Sequence, residues 1–415
     1  MSIQTKVDVL VIGAGPSGTI AASIIKQAGL SVQIVEKMQF PRFVIGESLL
    51  PRCMEALEEA KFLDAVKAKH FQQKDGAKFV MDGAVCDFTF AQQYTDGWRW
   101  TWQVPRAEFD MTLADECTKM GIPVHYQTEV TDIKIAEDGT SETTVVDIEG
   151  TKHTVNARFI VDGSGYGRVI PRLFGLEKQS TQAPRKTLFC HMTDPKRSEA
   201  VEPNRITVYV HNAKTWIWVI PFSNGNTSVG YVGSPDFFEK FTGTPEEQFK
   251  ALIQAQPELA SRFGDSKMLW EPRTLQSWSA TTDTFFGNGF VLTGNVTEFL
   301  DPVFSSGVTL ASVSAQTAAK LVIRTLNGEQ VDWANDYMKK MMMGVDVFRT
   351  YVNGWYDGTL FKIFFAENRN PEIMSQICSV LAGYVWDENN PFVRNHEKNV
   401  RTLGRYLENT STVTT

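Results

Sequence analysis

The chain has 415 residues, of which 42% are hydrophobic and 21% charged, and a formal net charge of −7. This balance is ordinary for a globular protein of two or three domains, and the absence of a Lys/Arg block argues against nucleic acid as the main partner. Five scattered cysteines, odd in number and without a CxxC pair, favour a reduced, cytoplasmic protein over a disulfide scaffold or a metal site. No apolar run is long enough for an integral membrane segment.

Residues 7–36 predict a βαβ unit. Positions 7–12 form a short β-branched run, a helix with a glycine stop follows, and positions 31–36 form a second buried strand. The turn between the first strand and the helix is GAGPSG, from Gly13 to Gly18, and Glu36 ends the next strand about 20 residues later. This spacing predicts a dinucleotide site, although a glycine-rich turn of another α/β fold is the structural alternative.

Each residue of this fingerprint has a physical role. Gly13 permits the tight turn, Gly15 lets the backbone approach a pyrophosphate, and Gly18 lets helix and strand pack closely. The helix N-terminus offers N–H donors to phosphates, and Glu36 accepts hydrogen bonds from ribose hydroxyls.

The remaining pattern alternates between helix and strand and ends in helices. After residue 333 the pattern is helical. Residues 205–232 predict an antiparallel meander. Helices are predicted over residues 54–69, 108–120 and 309–324, and strands over residues 77–90, 98–104, 143–148, 159–161, 205–210, 216–221, 227–232 and 290–293.

Two further polar, glycine-rich strand ends lie far downstream. One contains Asp162 and Gly163, and the other contains Gly294 and Asn295. Strand ends that converge on one ligand imply a long cofactor along the sheet, which favours FAD. None of the six histidines lies in an evident catalytic motif, which argues against a nicotinamide dehydrogenase.

The predicted fold class is α/β, with a helical C-terminal region. A Rossmann-like FAD-binding domain of the glutathione-reductase type is assembled from residues 1–75, 105–175 and 280–328. A substrate domain with an antiparallel β-sheet is inserted as residues 76–104 and 176–279, and residues 329–415 form the helical region.

Several motifs resemble those of the flavin-dependent halogenases of phenol and pyrrole type, within the FAD monooxygenases of the hydroxybenzoate-hydroxylase fold. WIWVIP at residues 216–221 resembles the halogenase signature WxWxIP. FPRFVIGESLLP, VPRAEFD, VDGSG, DPVFSSGV and SVLAGYVWDENNP resemble further family segments.

The resemblance implies three groups of site residues besides a lysine. The implied wall between substrate and flavin is Trp216, Trp218, Ile220 and Pro221, for which plain core packing is the alternative. The implied halide and flavin loop is Ser305, Ser306 and Gly307. The implied FAD contacts are Gly13, Gly15, Pro16, Ser17, Gly18, Glu36, Lys37, Glu47, Ser48, Arg106, Asp162, Gly163, Gly294, Asn295, Asp301, Pro302, Gly307 and Val308.

Lys74 matches the family lysine that precedes Gly-Ala, here in KDGA. The resemblance implies that it holds hypohalous acid by a hydrogen bond or as a chloramine, and a lysine in an apolar site suits this role. The alternative is a solvated surface lysine, because Lys67, Lys69 and Lys78 lie nearby. Glu47 and Ser48 are similarly open to two interpretations, as the polar start of a helix or as residues beside the flavin.

The implied activity uses FADH2, O2 and a halide ion to chlorinate or brominate an electron-rich aromatic. Tryptophan-type members carry Glu where this chain has Phe304, so a phenol, a resorcinol or a carrier-bound pyrrole or phenol is expected instead. A separate flavin reductase is the expected partner. The alternatives are an FAD hydroxylase, a geranylgeranyl-reductase-like enzyme, or a non-catalytic FAD-binding protein.

Overall fold

The computed structural model describes residue 3 and residues 5–178, 182–197, 204–276 and 280–411, so the predicted domain limits at 1, 279 and 415 lie outside the described residues. The strands are β1 Lys6–Ile12, β2 Val32–Val35, β3 Gln72–Lys74, β4 Gly76–Met81, β5 Ala84–Thr89, β6 Thr101–Gln103, β7 Val124–His125, β8 Glu129–Ile135, β9 Ser141–Val146, β10 Lys152–Asp162, β11 Glu177–Lys178, β12 Lys186–Thr193, β13 Thr207–Asn212, β14 Thr215–Pro221, β15 Asn226–Gly233, β16 Arg273–Gln276, β17 Ala280–Thr282, β18 Phe286–Gly287, β19 Phe290–Leu292 and β20 Glu298–Phe299.

The α-helices lie mainly around the first sheet and in the C-terminal region. They are α1 Pro16–Gln27, α2 Cys53–Glu59, α3 Leu63–Lys67, α4 Arg106–Lys119, α5 Val169–Phe174, α6 Pro235–Phe238, α7 Pro245–Gln254, α8 Pro257–Phe263, α9 Ser306–Leu326, α10 Lys340–Tyr356, α11 Thr359–Phe364, α12 Pro371–Leu381, α13 Pro391–Arg394 and α14 His396–Ser411.

The first sheet has the order β18-β19-β10-β1-β2-β7, and β9 joins β10 to β8. β1 pairs in parallel with both β2 and β10, and β10 pairs in parallel with β19. The continuous apolar run of β1 is explained by burial on both faces, because Val9 and Val11 join the core with α1 and α9 whereas Leu10 and Ile12 face a second core. The predicted βαβ unit and Rossmann-like sheet are therefore confirmed.

The second sheet has the order β16-β12-β15-β14-β13-β4-β5. The pairs β13–β14 and β14–β15 are antiparallel, which confirms the predicted meander, while β13 and β4 run parallel. All seven residues of β14 are buried. Trp216, Trp218 and Ile220 face the core shared with the C-terminal helices, and Ile217 and Val219 face the core under α6–α8.

One local prediction needs correction. The single helix predicted over 54–69 is divided into α2 and α3, because Lys61 adopts a left-handed φ of 61° and the amide of Phe62 bonds back to the carbonyl oxygen of Leu57. The sheet predicted over 77–90 is confirmed as an antiparallel hairpin of β4 and β5, turned by Asp82 and Gly83, which both have positive φ.

The C-terminal helices cover the tryptophan face of the second sheet. Trp355 of α10 packs against Phe79 of β4 and against Phe304, which precedes α9. The five cysteines are all buried free thiols. No helix in the described part of the chain combines the length and the apolar character needed to cross a bilayer.

Candidate functional site

One elongated cavity begins at the carboxyl ends of the parallel strands and reaches β13 and β14 of the second sheet. This is the edge at which open α/β sheets bind ligands. The lining residues are Gly13, Gly15, Pro16, Ser17, Glu36, Lys37, Met38, Arg42, Val44, Ile45, Gly46, Glu47, Ser48, Arg106, Gly163, Ser164, Gly165, Tyr166, Gly167, Ile206, Val208, Trp216, Trp218, Ile220, Thr293, Asn295, Phe299, Leu300, Pro302, Val303, Ser305, Gly307, Val308 and Ala311.

The glycine-rich turn forms the strand end of this cavity. A Cβ on Gly13, whose φ is 94°, would lie 2.7 Å from the carbonyl oxygen of Gly163, and a Cβ on Gly18 would lie 1.9 Å from that of Gly13. These residues must be glycine for β1, α1 and the end of β10 to meet. Gly15 faces the cavity, and the nearest atom to a Cβ there is Arg42 Nη2 at 3.4 Å. The turn therefore leaves room for a pyrophosphate at the start of α1.

Glu36 stabilises the same turn. Its Oε2 accepts a hydrogen bond from the amide of Ala14 at 2.9 Å, and its Oε1 accepts one from the amide of Met38 at 2.9 Å. The carboxylate still borders the cavity, and each oxygen keeps a further lone pair for a ribose hydroxyl.

A cluster of charged residues holds the loop of residues 43–48 over the cavity. Arg106 makes two bonds of 2.8 and 2.9 Å to Asp110, and its Nη1 donates to the carbonyl oxygens of Ile45 and Gly46. Arg42 also donates to Asp110, at 2.9 Å. Arg42 and Asp110 were not identified from the sequence, although both lie within the segments that resemble the halogenases.

Two neighbouring side chains of the loop have different environments. Ser48 Oγ is buried and lacks a hydrogen-bond partner among the described residues, so it is free to bond a ligand in the cavity it lines. Glu47 is 2% exposed and lies 2.8 Å from Nε2 of His191 on β12. Sequence reasoning missed His191, since 144 residues separate it from Glu47.

The segment predicted as the halide and flavin loop leads into α9. Ser305 has a left-handed φ of 57°, and α9 begins at the next residue. Ser305, Gly307 and Val308 line the cavity, whereas Ser306 does not. The first backbone N–H groups of a helix have no partner within the helix, so this end of α9 offers donors and a partial positive charge to an anion.

The tryptophans of β14 form the opposite, apolar end of the cavity. Trp216, Trp218 and Ile220 line it, and Pro221 does not. Gly230 lies across from Trp218, where a Cβ would lie only 2.1 Å from the indole, so the ring lies close against β15. Trp218 Nε1 donates to Ser228 Oγ at 3.0 Å. The same side chains therefore pack against β15 and line the cavity, so core packing and a role as a wall do not exclude each other.

Lys74 is buried and lies outside the cavity lining. It is 1% exposed, and its Nζ donates to the carbonyl oxygen of Leu49 at 2.7 Å, one residue beyond Ser48. No carboxylate pairs with it among the described residues, and its Nζ lies 5.6 Å from the centroid of Phe90. Burial lowers the pKa of Lys74 from 10.5 to about 7, partly opposed by nearby Cys53. The solvated surface lysine weighed from the sequence is thus excluded.

Several other predicted contacts lie behind the cavity surface. Asp162 is fully buried and accepts hydrogen bonds from the amides of Ser164 and Ile170, which fixes the turn after β10. The predicted site residues that do not line the cavity are Gly18, Lys74, Asp162, Pro221, Gly294, Asp301 and Ser306. Apart from Lys74, these residues support the lining rather than form it.

The charged side chains of the lining come from residues 36–47 and from Arg106, while Ile206, Val208 and the tryptophans supply an apolar end. A glycine turn at a helix N-terminus, an acidic residue at the second strand and two further strand ends together fit a flavin dinucleotide. The site thus defines a flavoprotein of the oxidoreductase class.

The chain belongs to the FAD binding domain family, whose model matches residues 6–338. FAD is accordingly its cofactor, and the chain is an FAD-dependent enzyme. It is 26% identical over 399 residues to a 1H-pyrrole-2-carbonyl peptidyl-carrier-protein brominase of Pseudoalteromonas luteoviolacea, with 93% of this chain and 94% of that protein covered. The resemblance to flavin-dependent halogenases is thereby confirmed.

Two solved structures share the fold. A flavoprotein/dehydrogenase of Cytophaga hutchinsonii is 57% identical, with a TM-score of 0.96 and coverage of 98% of this chain and 100% of that one. A flavin-dependent brominase is 24% identical, with a TM-score of 0.84 and coverage of 96% and 98%, which supports the fold alone. The predicted fold class is confirmed.

Proposed function

We propose that this protein is an FAD-dependent halogenase that chlorinates or brominates an uncharged, electron-rich aromatic. The observation that carries the proposal is Lys74, a buried lysine that pairs with no carboxylate in the described part of the chain and lies behind the loop that borders the cavity. Bound FAD in its reduced form would, together with O2, supply the oxidant that converts a halide ion to hypohalous acid.

Lys74 has the properties needed to retain an electrophilic halogen. With a pKa of about 7, much of its amine is neutral and nucleophilic near neutral pH. Its partner is a main-chain carbonyl group, which leaves other donors or the lone pair for a reacting species. A buried charge without a carboxylate partner costs stability, so function is the simplest reason to keep one.

The apolar wall supports the same proposal. Trp216, Trp218 and Ile220 form the apolar end of the cavity, and the core shared with the C-terminal helices lies behind them. A halogenase must keep its acceptor away from the flavin, because direct contact would favour hydroxylation. We therefore assign the wall to exclusion rather than to proton transfer.

The start of α9 suits the halide. A halide ion must lose water beside the flavin, and backbone N–H groups bind it without supplying a competing acid. Ser305 and Gly307 line the cavity at this point, so we propose that their segment binds chloride or bromide.

The lining favours a neutral acceptor. The side chains that β13 and β14 give to the cavity are uncharged, so the wall has no group that would pair with a free carboxylate. We therefore propose a phenol, a resorcinol or a pyrrole as the acceptor, held apart from the flavin by that wall. The similar brominase named above acts on a carrier-bound pyrrole, so we include a carrier-bound acceptor. A separate flavin reductase and a cytoplasmic location belong to the same proposal.

A coupled assay tests this function. Purified protein, a flavin reductase, NADH, FAD, bromide and resorcinol should give brominated resorcinol, measured by mass spectrometry. Lys74→Met keeps the buried volume but removes the amine, and we expect product formation to fall by about 100-fold or more while oxidation of FADH2 continues. Exposed Lys67→Met is the matched control and should behave like the wild type.

Two results would overturn parts of the proposal. Normal bromination by Lys74→Met would remove Lys74 from the mechanism. No halogenated product from the wild type with phenol, resorcinol or carrier-bound pyrrole would remove halogenation itself.

A flavin-dependent dehydrogenase or reductase is the second candidate. It is favoured by the 57% identity to a protein described as a flavoprotein/dehydrogenase. Rapid reduction of the bound FAD by NADPH without any added reductase, together with a halide-independent rate, would support it. The halogenase proposal expects slow reduction under these conditions.

A further inference from the structure

An uninterrupted chain of hydrogen bonds joins the tryptophan wall to the segment before α9. Trp216 Nε1 donates to the hydroxyl of Tyr356 at 3.0 Å, and this hydroxyl donates to Asp301 Oδ2 at 2.8 Å. The other oxygen, Asp301 Oδ1, accepts from the amide of Val303 at 3.2 Å. The chain thus connects three elements that are distant in the sequence: β14, the end of α10 and the turn at residues 302–304.

This chain is enclosed by protein. Trp216 and Asp301 are each 2% exposed, and the guanidinium of Arg185 lies 3.8 Å from the ring centroid of Tyr356. Neither Asp301 nor Tyr356 lines the cavity, so neither is placed to touch a cofactor or a substrate directly.

Asp301 nevertheless caps the turn that supplies the part of the cavity lining before α9. Its bond to Val303 caps the turn, Ser305 follows with a φ of 57°, and α9 then begins. Pro302, Val303 and Ser305 line the cavity, so a change in the cap of the turn moves lining atoms.

We propose that Tyr356 is a positioning residue, which holds the ionised Asp301 against the turn at residues 302–304. It thereby couples the C-terminal helical region to the part of the cavity lining that precedes α9. This coupling does not depend on which reaction the site performs, so it stands apart from the proposed halogenation.

The electrostatics agree with this arrangement. Burial raises the pKa of Asp301 to about 6, whereas the hydrogen bonds from Tyr356 and Val303 and the charge of Arg185 act to lower it. Burial and the adjacent Asp301 raise the pKa of Tyr356 well above 10, so the hydroxyl remains a donor. Among the described residues, Arg185 is the charged group and Tyr356 the titratable group that act on Asp301. Loss of either is expected to raise the pKa of the carboxyl group.

The test is FAD affinity as a function of pH, measured by flavin fluorescence on the full chain. In the wild type we expect binding to weaken by about fivefold below a midpoint near pH 6, because a protonated Asp301 loses its charge-assisted bonds. Asp301→Asn should abolish this step. Tyr356→Phe, which keeps the ring but removes the donor, should move the midpoint to higher pH.

Two tryptophan variants provide the matched comparison. Trp216→Phe should raise the midpoint by a smaller amount, because it removes only the donor to Tyr356. Trp218→Phe removes a donor to Ser228 in the same wall, outside the chain, and should leave the midpoint unchanged. A midpoint that is the same in Tyr356→Phe as in the wild type, or a step that persists in Asp301→Asn, would overturn the proposal.

Discussion

At the scale of single residues, burial explains most of what distinguishes the functional groups. Lys74 lies among other lysines in the sequence, yet Lys67 and Lys69 are exposed whereas Lys74 is enclosed. Spacing alone cannot show this difference, because it depends on Leu49 and Phe90 being brought over the side chain by the fold. Only the resemblance to the family singled out Lys74 before the structure.

The lowered pKa of Lys74 predicts a measurable loss of stability. The unfolded chain keeps this ammonium charged up to about pH 10.5, whereas the folded chain releases the proton near pH 7, so folding becomes more favourable as pH rises through that window. The corresponding cost at neutral pH is on the order of 5 kcal/mol.

Lys74→Met should therefore be more stable than the wild type at pH 7, and the difference in free energy of unfolding should shrink as the pH approaches 10. Urea denaturation of the FAD-free protein at several pH values measures this difference. Lys67→Met should show no such trend. A gain in stability that is independent of pH would contradict the assigned burial of the charge.

At the scale of elements, the loop of residues 43–48 shows why some of the site escaped sequence reasoning. Arg106 was expected to contact FAD, and it does border the cavity. Its bonds, however, go to Asp110 and to the carbonyl oxygens of Ile45 and Gly46, so its visible role is to hold the loop. The motif identifies Arg106, but the groups that Arg106 bonds depend on how α4 packs under the loop.

Arg106→Lys tests this role of the loop. A lysine retains the charge but cannot bond Asp110 at two points and reach both carbonyl groups, so we expect FAD affinity to fall by about tenfold. Arg324→Lys, at an exposed ion pair with Glu329, is the control and should bind FAD normally. Fluorescence titration with FAD measures both, and equal affinities would show that the loop does not need the guanidinium.

Strand periodicity was a good guide to β14, because alternation already placed Trp216, Trp218 and Ile220 on one face. Helix periodicity was a poorer guide to residues 54–69, where the apolar pattern continues across the break at Lys61. Alternation of side chains follows from local geometry, whereas a left-handed residue between two helices is selected by the packing of Phe62 into the core.

At the scale of the whole molecule, separate parts of the fold build the cavity and its support. The first sheet and α9 supply the cofactor end, the second sheet supplies the apolar wall, and the C-terminal helices support that wall from behind. The Rossmann-like part was predictable because its fingerprint lies within residues 13–36. The pairs Glu47–His191 and Asp301–Tyr356 were not, because each joins segments that only the tertiary fold brings together. The division into three regions stays a prediction.

The central claim is that the oxidising power of reduced FAD and O2 reaches the acceptor through a halide. A single turnover with reduced FAD, ¹⁸O2, bromide and resorcinol tests it most directly, with products analysed by mass spectrometry. We expect a product with the bromine isotope pattern and no ¹⁸O, formed only when bromide is present. A hydroxylated product that contains ¹⁸O and forms equally without bromide would contradict the account.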